Sequence, residues 1–326
     1  MTKRIKLLPI VSQRGGGIFP ATSLTILPRD GAPEIQGKPA IQAHVFASGT
    51  EFCAAIPEDG RAMAWHQETW LTSRYSEAFT GTPSMPAAKS LFLDPPKSLR
   101  DRAAAAGKSL TAHPPMRQKM QSWNIAGAYP SVARALSGDP RAMRAMCHHN
   151  SPKMVTLISN ASIPWGIKAD ILIEFSVAMA AAVDMIEAAG WRAEVWASQI
   201  SVADADFVGG CLVRLKGAED AVDTAKLVAG LGHPSFLRRL CFGYASVTDA
   251  LKPLGVGMGY ATAILPPDDA PGTYCTSLSG AYDALSRANK EPTAQNFLAE
   301  IAATLARQGF AGFSEETRKE RLECIS

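Results

Sequence analysis

The second half of the chain alternates between apolar runs of strand length and longer segments of helical periodicity. Residues 153–159 (KMVTLIS) form an apolar run, and residues 168–189 follow with apolar side chains around most of a helical wheel. The four acidic residues of that helix fall within one arc of about 140°, which predicts one solvated stripe. Alternating patterns at 191–198 and 207–216 then favour two strands, paired as a half-exposed edge. Strand, helix, strand is the βαβ order, and it predicts a parallel sheet.

The pattern divides the chain into three regions. Residues 1–95 are predicted to form a small α+β region, with strand-like patches LTILP and AHVF and a capped helix in SGTEFCAAI. Residues 96–150 are predicted to be a basic helical connector, with two short helices broken at Gly138 and Pro140. Residues 151–326 are predicted to be an α/β domain of three-layer, Rossmann-like architecture. Further helices are expected at 219–231, 234–244 and 292–308.

The sequence SNAS marks the place where the first strand of that domain ends. In open α/β sheets, ligands bind beyond the carboxyl ends of strands and near the N-termini of helices. Ser159, Asn160 and Ser162 occupy that place and are candidate ligand-binding residues, although the stretch also fits a simple strand-to-helix turn. His233, which precedes a proline and a helix, is a further candidate ligand-binding residue, with helix capping or packing as the alternative.

Charge is unevenly distributed along the chain. The composition, 47% hydrophobic and 19% charged, is that of a globular protein, and the net charge is only +3. Residues 96–146 contain nine basic and two acidic residues, so this segment carries +7 and the remainder −4. The segment is either a solvated surface or a weak nucleic-acid-binding surface. In the second case the candidate residues are Arg117, Lys119, Arg134, Arg141 and Arg144.

Motifs that would indicate catalysis are incomplete in this sequence. Residues 102–109 (RAAAAGKS) end like a phosphate loop, but Arg102 stands where the first glycine belongs. The glycine-rich stretch 255–260 leads into a strand, whereas a dinucleotide fingerprint leads into a helix. Cys147 with its two neighbouring histidines has no second cluster of metal-ligand spacing. We therefore expect no catalytic residue, no metal and no cofactor.

The cysteine spacing and the helix composition bear on the cellular compartment. The six cysteines are dispersed without a C-x-x-C pair, which is typical of reduced, intracellular thiols. The most apolar helix, 169–189, contains four acidic residues and does not read as a membrane span. We therefore expect a cytoplasmic protein with no membrane partner.

The SNAS strand, the helix after it and the strand AAGWRAEVWA together resemble the start of a von Willebrand factor A-like domain over about 151–260. In that fold the first strand ends in D-x-S-x-S, which binds a divalent cation. The corresponding residues here are Asn160, Ser162 and Pro164, so one carboxylate and one hydroxyl are missing. Because hard cations prefer anionic oxygen, the resemblance implies a weak or absent cation site.

A second resemblance rests on three motifs between residues 120 and 250. These are W-x-x-A-G-x-x-P from Trp123 to Pro130, G-x-P-x-x-M from Gly138 to Met143, and H-P-x-x-L-R-R from His233 to Arg239. They resemble an uncharacterised family of proteins encoded by tailed bacteriophages and prophages. That resemblance implies phage origin and action inside the host cell, and it implies no particular reaction.

These observations lead to one leading hypothesis and two alternatives. The leading hypothesis is a phage-encoded, non-catalytic α/β binding module that acts in the host cytoplasm on nucleic-acid or protein machinery. One alternative is a structural protein of the virion. The other is an enzyme with an unfamiliar site at the 159–164 turn. The sequence leaves the oligomeric state open.

Overall fold

The structure is a computed structural model of the 326-residue chain. It describes residues 5–11, 23–28, 41–57, 75–108, 123–124, 129–144, 154–161, 167–204, 207–248, 251, 262–265 and 272–310. The strands are β1 Ile5–Val11, β2 Ser23–Pro28, β3 Ile41–Phe46, β4 Trp123–Asn124, β5 Tyr129–Pro130, β6 Met143–Arg144, β7 Met154–Asn160, β8 Arg192–Asp204, β9 Phe207–Lys216, β10 Thr262–Leu265 and β11 Thr273–Ser277.

The described helices vary in length from five to 20 residues. They are α1 Gly49–Ala54, α2 Tyr75–Thr80, α3 Met85–Leu93, α4 Lys97–Lys108, α5 Val132–Leu136, α6 Ala169–Ala188, α7 Thr224–Leu231, α8 Phe242–Val247, α9 Leu278–Arg287 and α10 Ala294–Arg307. A π-helical segment, Phe236–Cys241, leads directly into α8.

The main sheet has mixed strand directions. Its strand order is β10-β2-β1-β3-β9-β8-β7-β11. Strands β7, β8 and β11 are mutually parallel, while β9 runs antiparallel to β8. The predicted βαβ unit is confirmed, because β7, α6 and β8 follow one another and β7 pairs with β8 in parallel. The chain is therefore an α/β protein, as the sequence predicts.

The N-terminal strands belong to this same sheet. Strand β3 pairs in parallel with β9 over Ile41–Phe46, and β1 pairs in parallel with β3. The boundaries at residues 95 and 151 therefore do not separate different sheets. Because β3 covers one side of β9, the prediction that 191–198 and 207–216 form a half-exposed edge pair is wrong. Both faces of the β8–β9 pair are buried, as the exposures of Trp196 on one face and Val213 on the other show (0% each).

The helices and one face of the sheet form a single hydrophobic core. It contains alternate residues of β7, β8 and β9 together with the inner faces of α6, α7 and α10. The opposite face is also buried, through residues such as Ile158, Trp196 and Ile200. Among the described residues, every helix that joins the core lies on the first face. The three-layer, Rossmann-like arrangement stays a prediction.

The acidic stripe predicted on α6 is largely used for packing. The Glu174 carboxylate accepts the N–H of Ala294 at the start of α10 (2.7 Å). Glu187 lies 2.7 Å from the ammonium of Lys216, whose side chain is only 2% exposed. Asp170 pairs with Arg102 of α4, which packs on α6 and α7. The stripe therefore docks neighbouring elements, and only part of it is solvated.

A second, three-stranded sheet of order β4-β6-β5 lies within the predicted connector. Helix α5 connects β5 to β6, so the second of the two predicted short helices is a strand. The main sheet and this small sheet share no described strand pairing. No helix among the described residues is long and apolar enough to cross a membrane.

Candidate functional site

Ser159 and Asn160 end β7 at the carboxyl edge that the sequence singles out. Both residues are fully buried, and the adjacent Ser198 on β8 is buried with them. The Ser198 hydroxyl donates to the carbonyl of Ser159 (3.3 Å), and the N–H of Ala161 donates to the carbonyl of Ser198 (2.7 Å). These bonds continue the contact of β7 with β8 as far as Ala161. Ser162 and Pro164 lie outside the described residues.

The polar side chains around this edge are neutral. Gln199, Ser201 and Thr276 are buried near the end of β7, and the Gln199 amide donates to the hydroxyl of Ser201 (2.8 Å). Neutral amides and hydroxyls suit hydrogen bonding better than coordination of a hard cation. Among the described residues, no group of three His, Cys, Asp or Glu side chains is arranged to hold a metal.

His233 lies at the start of the helical segment that follows β9 and α7. The N–H of Ser235 donates to His233 Nδ1 (3.3 Å), so the imidazole caps this helix. Its Cε1 lies 2.8 Å from the position that a Cβ on Gly81 would take. Burial, together with the positive charge of Arg102, lowers the pKa of His233 to about 4. The described contacts of His233 are thus structural, and none of them joins it to Ser159 or Asn160.

The two arginines of the H-P-x-x-L-R-R segment hold the chain between α2 and α3. Arg239 donates to the Thr80 hydroxyl (2.7 Å) and to the Thr82 carbonyl (2.5 Å). Arg238 donates to the Phe79 carbonyl (3.1 Å) and lies 4.4 Å from the centroid of that ring. Both arginines are buried, and burial lowers the pKa of each. The motif therefore joins residues 79–82 to the main core, a role that sequence spacing alone did not reveal.

The basic charge of α4 is largely balanced inside the molecule. Arg102 lies 2.5 Å from Asp170 of α6. Arg100 lies 3.1 Å from Asp94 and 4.0 Å from Asp223, the N-cap of α7. Part of the positive charge of residues 96–146 is thus paired with acidic residues from the rest of the chain, where α4 contacts α6 and α7.

The described part of the chain does not bring the five candidate nucleic-acid-binding residues together in one cluster. Arg134 pairs with Asp139 at 2.7 Å, whereas Arg141 is exposed. Arg144 lies in β6, and Arg117 and Lys119 fall outside the described residues. The structure therefore brings together Arg134 and Arg141 on one short stretch and leaves the wider cluster a prediction.

Helix α5 exposes two large apolar side chains. Val132 is 69% exposed and Leu136 is 84% exposed, and none of the five residues of the helix is buried. Their spacing of four residues places them on the same side of the helix. We call Val132 and Leu136 the α5 surface. The basic residues of this stretch predict a basic helix but not its apolar face, because exposure depends on how the helix is placed in the fold.

A shallow cleft lies between α1 and α8. It has a volume of about 480 Å³ and is lined by Phe46, Glu51, Ala55, Pro57, Tyr244, Val247 and Thr248. Beside the cleft, the Tyr244 hydroxyl and His44 Nδ1 form a hydrogen bond.

The thiols of Cys211 and Cys241 are 3.7 Å apart. Burial raises the pKa of Cys241 well above its ordinary value and that of Cys53 to about 11, which opposes a nucleophilic role. The four described cysteines are free.

Comparison with known protein families finds a match over most of the chain. A family model described as Domain of unknown function (DUF7192) matches residues 32–300, more than four fifths of the chain. The matched range includes every element from β3 to α9 and the beginning of α10. No curated protein and no solved structure matches the chain significantly.

Proposed function

The chain belongs to the family described as Domain of unknown function (DUF7192), and we propose that it is a non-catalytic binding module that acts on protein machinery. We further propose that it is encoded by a tailed bacteriophage and acts in the host cytoplasm. The W-x-x-A-G-x-x-P and H-P-x-x-L-R-R motifs support that origin, because they resemble phage-encoded proteins.

The observation that carries the proposal is the exposed apolar pair Val132 and Leu136 on α5. Large aliphatic side chains in water are a common mark of a protein-binding surface when they lie together on one face. The predicted ligand-binding residues give less support to a binding site, because Ser159 and Asn160 are closed in by neighbouring strands.

The strand arrangement supports a von Willebrand factor A-like origin for part of the sheet. The order β9-β8-β7-β11, the antiparallel β9 and the long helix after β7 are the features that fit. The neutral Asn160 at the end of β7 then fits a descendant that recognises its partner without a bound cation.

Nucleic acid is the second candidate partner, because Arg141 is exposed five residues after Leu136 in the sequence. The internal pairing of Arg100, Arg102 and Arg134 favours a protein partner instead. A basic surface that binds nucleic acid needs cations that remain available to phosphates.

Site-specific photo-crosslinking tests the proposal. A benzoylphenylalanine placed at Leu136 should give one defined protein adduct in phage-infected cells, identified by mass spectrometry. The same group at Met154, which is 57% exposed and lies on β7, is the matched control and should give none. Equal adducts at both positions, or an adduct to nucleic acid at Leu136, would contradict the proposal. Recovery of the protein in purified phage virions would favour the virion alternative. An enzymatic activity of the protein that Ser159→Ala abolishes would favour the enzyme alternative.

A further inference from the structure

We propose that the outer edge of strand β11 is a pairing surface for a second copy of this chain, and that the side chain of Gln308 keeps this edge closed. The inference goes beyond the proposed function, because it concerns the main sheet and not helix α5. It rests on two hydrogen bonds between Gln308 and Cys275 and on the composition of β11.

Strand β11 lies at one end of the main sheet. Among the described strands it pairs only with β7, in parallel over Thr273–Ser277. The N–H of Thr156 on β7 donates to the carbonyl of Gly272 (2.9 Å), so the peptide groups of Gly272 and of every second residue after it face β7. The N–H and the carbonyl of Cys275 therefore face away from β7, on the outer edge of the sheet.

The side-chain amide of Gln308 bonds to both of these backbone groups. The N–H of Cys275 donates to Gln308 Oε1 (2.8 Å), and Gln308 Nε2 donates to the carbonyl of Cys275 (2.7 Å). One residue of a neighbouring antiparallel strand would make the same pair of bonds, one as donor and one as acceptor. Gln308 thus imitates one residue of an additional strand, and another strand can pair at Cys275 only after these bonds break.

The end of helix α10 holds Gln308 in place. Gln308 is the C-cap of α10, and Gly309 follows it with φ +90°. The N–H of Phe310 then donates to the carbonyl of Leu305 (2.9 Å), and the Phe310 ring packs against the ring of Tyr274. Because the backbone is fixed on both sides of Gln308, little conformational entropy is lost when its amide bonds to β11.

The composition of β11 explains why this edge needs a cover. The sequence of the strand is TYCTS, and its threonines and tyrosine are residue types that favour strands. Natural edge strands are commonly protected from pairing by charged side chains, especially lysine, or by proline. Strand β11 contains neither a charged residue nor a proline. The amide of Gln308 supplies the protection that the strand's own residues lack.

A second copy of the chain is the partner that fits the open edge. Two copies of β11 placed antiparallel about a two-fold axis at Cys275 give each copy the same pair of bonds that Gln308 supplies. The strand is uncharged, so the two copies meet without the repulsion that like charges cause across a strand pair. A charged extended peptide finds no complementary charge on β11.

Self-association of the full-length protein tests the inference. Gln308→Ala removes both bonds to Cys275 and opens the edge, so the dimer Kd from sedimentation equilibrium should fall at least about tenfold below that of wild type. Asn296→Ala is the matched control, because the Asn296 amide also donates to a backbone carbonyl, that of Glu291, but at the opposite end of α10. This control should leave the Kd unchanged.

Charged variants separate edge pairing from a loss of stability. Gln308→Glu can only accept and Gln308→Lys can only donate, so each keeps at most one of the two bonds to Cys275. Both should be less stable than wild type in urea melts. Neither should associate more tightly than wild type, because like charges would meet across the two-fold axis.

Amide exchange locates the contact between the copies. In Gln308→Ala, the peptide that spans residues 272–277 should exchange faster than in wild type at low protein concentration, because the Cys275 N–H has lost its acceptor. Its exchange should slow again as the concentration rises and the two edges pair. Gln308→Asn, whose amide is one methylene shorter, should behave like Gln308→Ala and supplies the same test if that variant does not fold.

The inference is overturned if Gln308→Ala and Gln308→Asn keep the dimer Kd of wild type. It is also overturned if Gln308→Glu and Gln308→Lys associate as tightly as Gln308→Ala, since destabilisation would then explain the association. Exchange of residues 272–277 that does not depend on concentration would place the contact elsewhere and would equally overturn it.

Discussion

Arg134 and Asp139 are joined twice across the end of helix α5. The Arg134 guanidinium lies 2.7 Å from the Asp139 carboxylate, and the N–H of Asp139 donates to the carbonyl of Arg134 (3.0 Å). Gly138 lies between them with φ +78°, a conformation that side chains with a Cβ rarely adopt. The two links fix where α5 ends and therefore fix the direction in which Leu136 projects.

Removal of the carboxylate should loosen this helix without unfolding the protein. Asp139→Ala is expected to cost less than about 1 kcal/mol of global stability, because the pair is partly exposed. Amide exchange of the peptide that spans residues 131–139 should accelerate about two- to fivefold. Glu300→Ala breaks the exposed pair with Arg307 on α10 and should leave that peptide unchanged. Unaltered exchange in Asp139→Ala would show that the ion pair does not hold α5.

Gly81→Ala should be unusually destabilising. Gly81 has φ +75°, and an added Cβ would lie 2.8 Å from Cε1 of His233. The backbone strain is worth about 1 kcal/mol, and displacement of the half-buried ring should add about 1–2 kcal/mol. Gly309→Ala is the matched control, because Gly309 has φ +90° and nothing within 4 Å of the added Cβ. Urea melts that give equal losses for the two variants would show that the imidazole moves aside freely.

His233 should make the folded state weaker in acid. Its pKa is about 4 in the folded protein against 6.5 for an ordinary histidine, so the unfolded chain binds the proton more tightly. Above pH 6.5 the residue therefore does not lower the free energy of unfolding. This free energy falls as the pH drops from about 6.5 to 4. The full effect should be about 2 kcal/mol, since one pKa unit corresponds to about 1.4 kcal/mol and the ring is not fully buried.

The difference between wild type and His233→Gln isolates this contribution. Carboxylates also titrate in the same range, so each protein needs a series of urea melts from pH 7.5 to about 4. The variant loses a cap and starts at lower stability, but its stability should decline less steeply between pH 6.5 and 4. Parallel curves for the two proteins would rule out a depressed pKa at His233.

Arg239 should contribute more to the free energy of unfolding than an exposed arginine does. Arg239→Ala removes the donor to the Thr80 hydroxyl and the Thr82 carbonyl and leaves both acceptors buried, so we expect a loss of about 2–4 kcal/mol. Arg307→Ala, whose side chain is 63% exposed, should cost less than about 1 kcal/mol. Guanidinium melts provide the comparison, and similar midpoints for the two variants would refute a structural role for the H-P-x-x-L-R-R segment.

Local periodicity accounts for the parts of the fold that the sequence predicts well. Strand β7, helix α6 and helix α10 lie close to their predicted ranges, because each has a pattern that its own residues define. Pairing of β3 with β9 depends on residues far apart in the chain, and no local pattern indicates it. Lys216 reads as a solvated strand position, but its ammonium is satisfied by Glu187 and by the carbonyls of Ala193 and Gly217.

The candidate site shows the same difference between what local sequence predicts and what depends on contacts between distant residues. Sequence reasoning places Ser159 and Asn160 correctly at the end of β7, but burial by neighbouring strands could not be derived from their identities. The charge pattern presents Arg134 as an available cation, whereas its guanidinium pairs with Asp139. The exposure of Leu136 depends on which surfaces the fold leaves open, so only coordinates reveal it.

The pairing of β3 with β9 also sets an order of events on the ribosome. About 160 residues separate the end of β3 from the start of β9, so at roughly 5–20 residues per second the first strand waits on the order of 10–30 s for its neighbour. During that interval the hydrogen-bonding edge of β3 that β9 later covers has no native partner. Nascent chains of this protein therefore pass through a stage in which an apolar strand is open to wrong pairing. Chaperone supply and translation rate should then govern its yield more strongly than the stability of the finished fold.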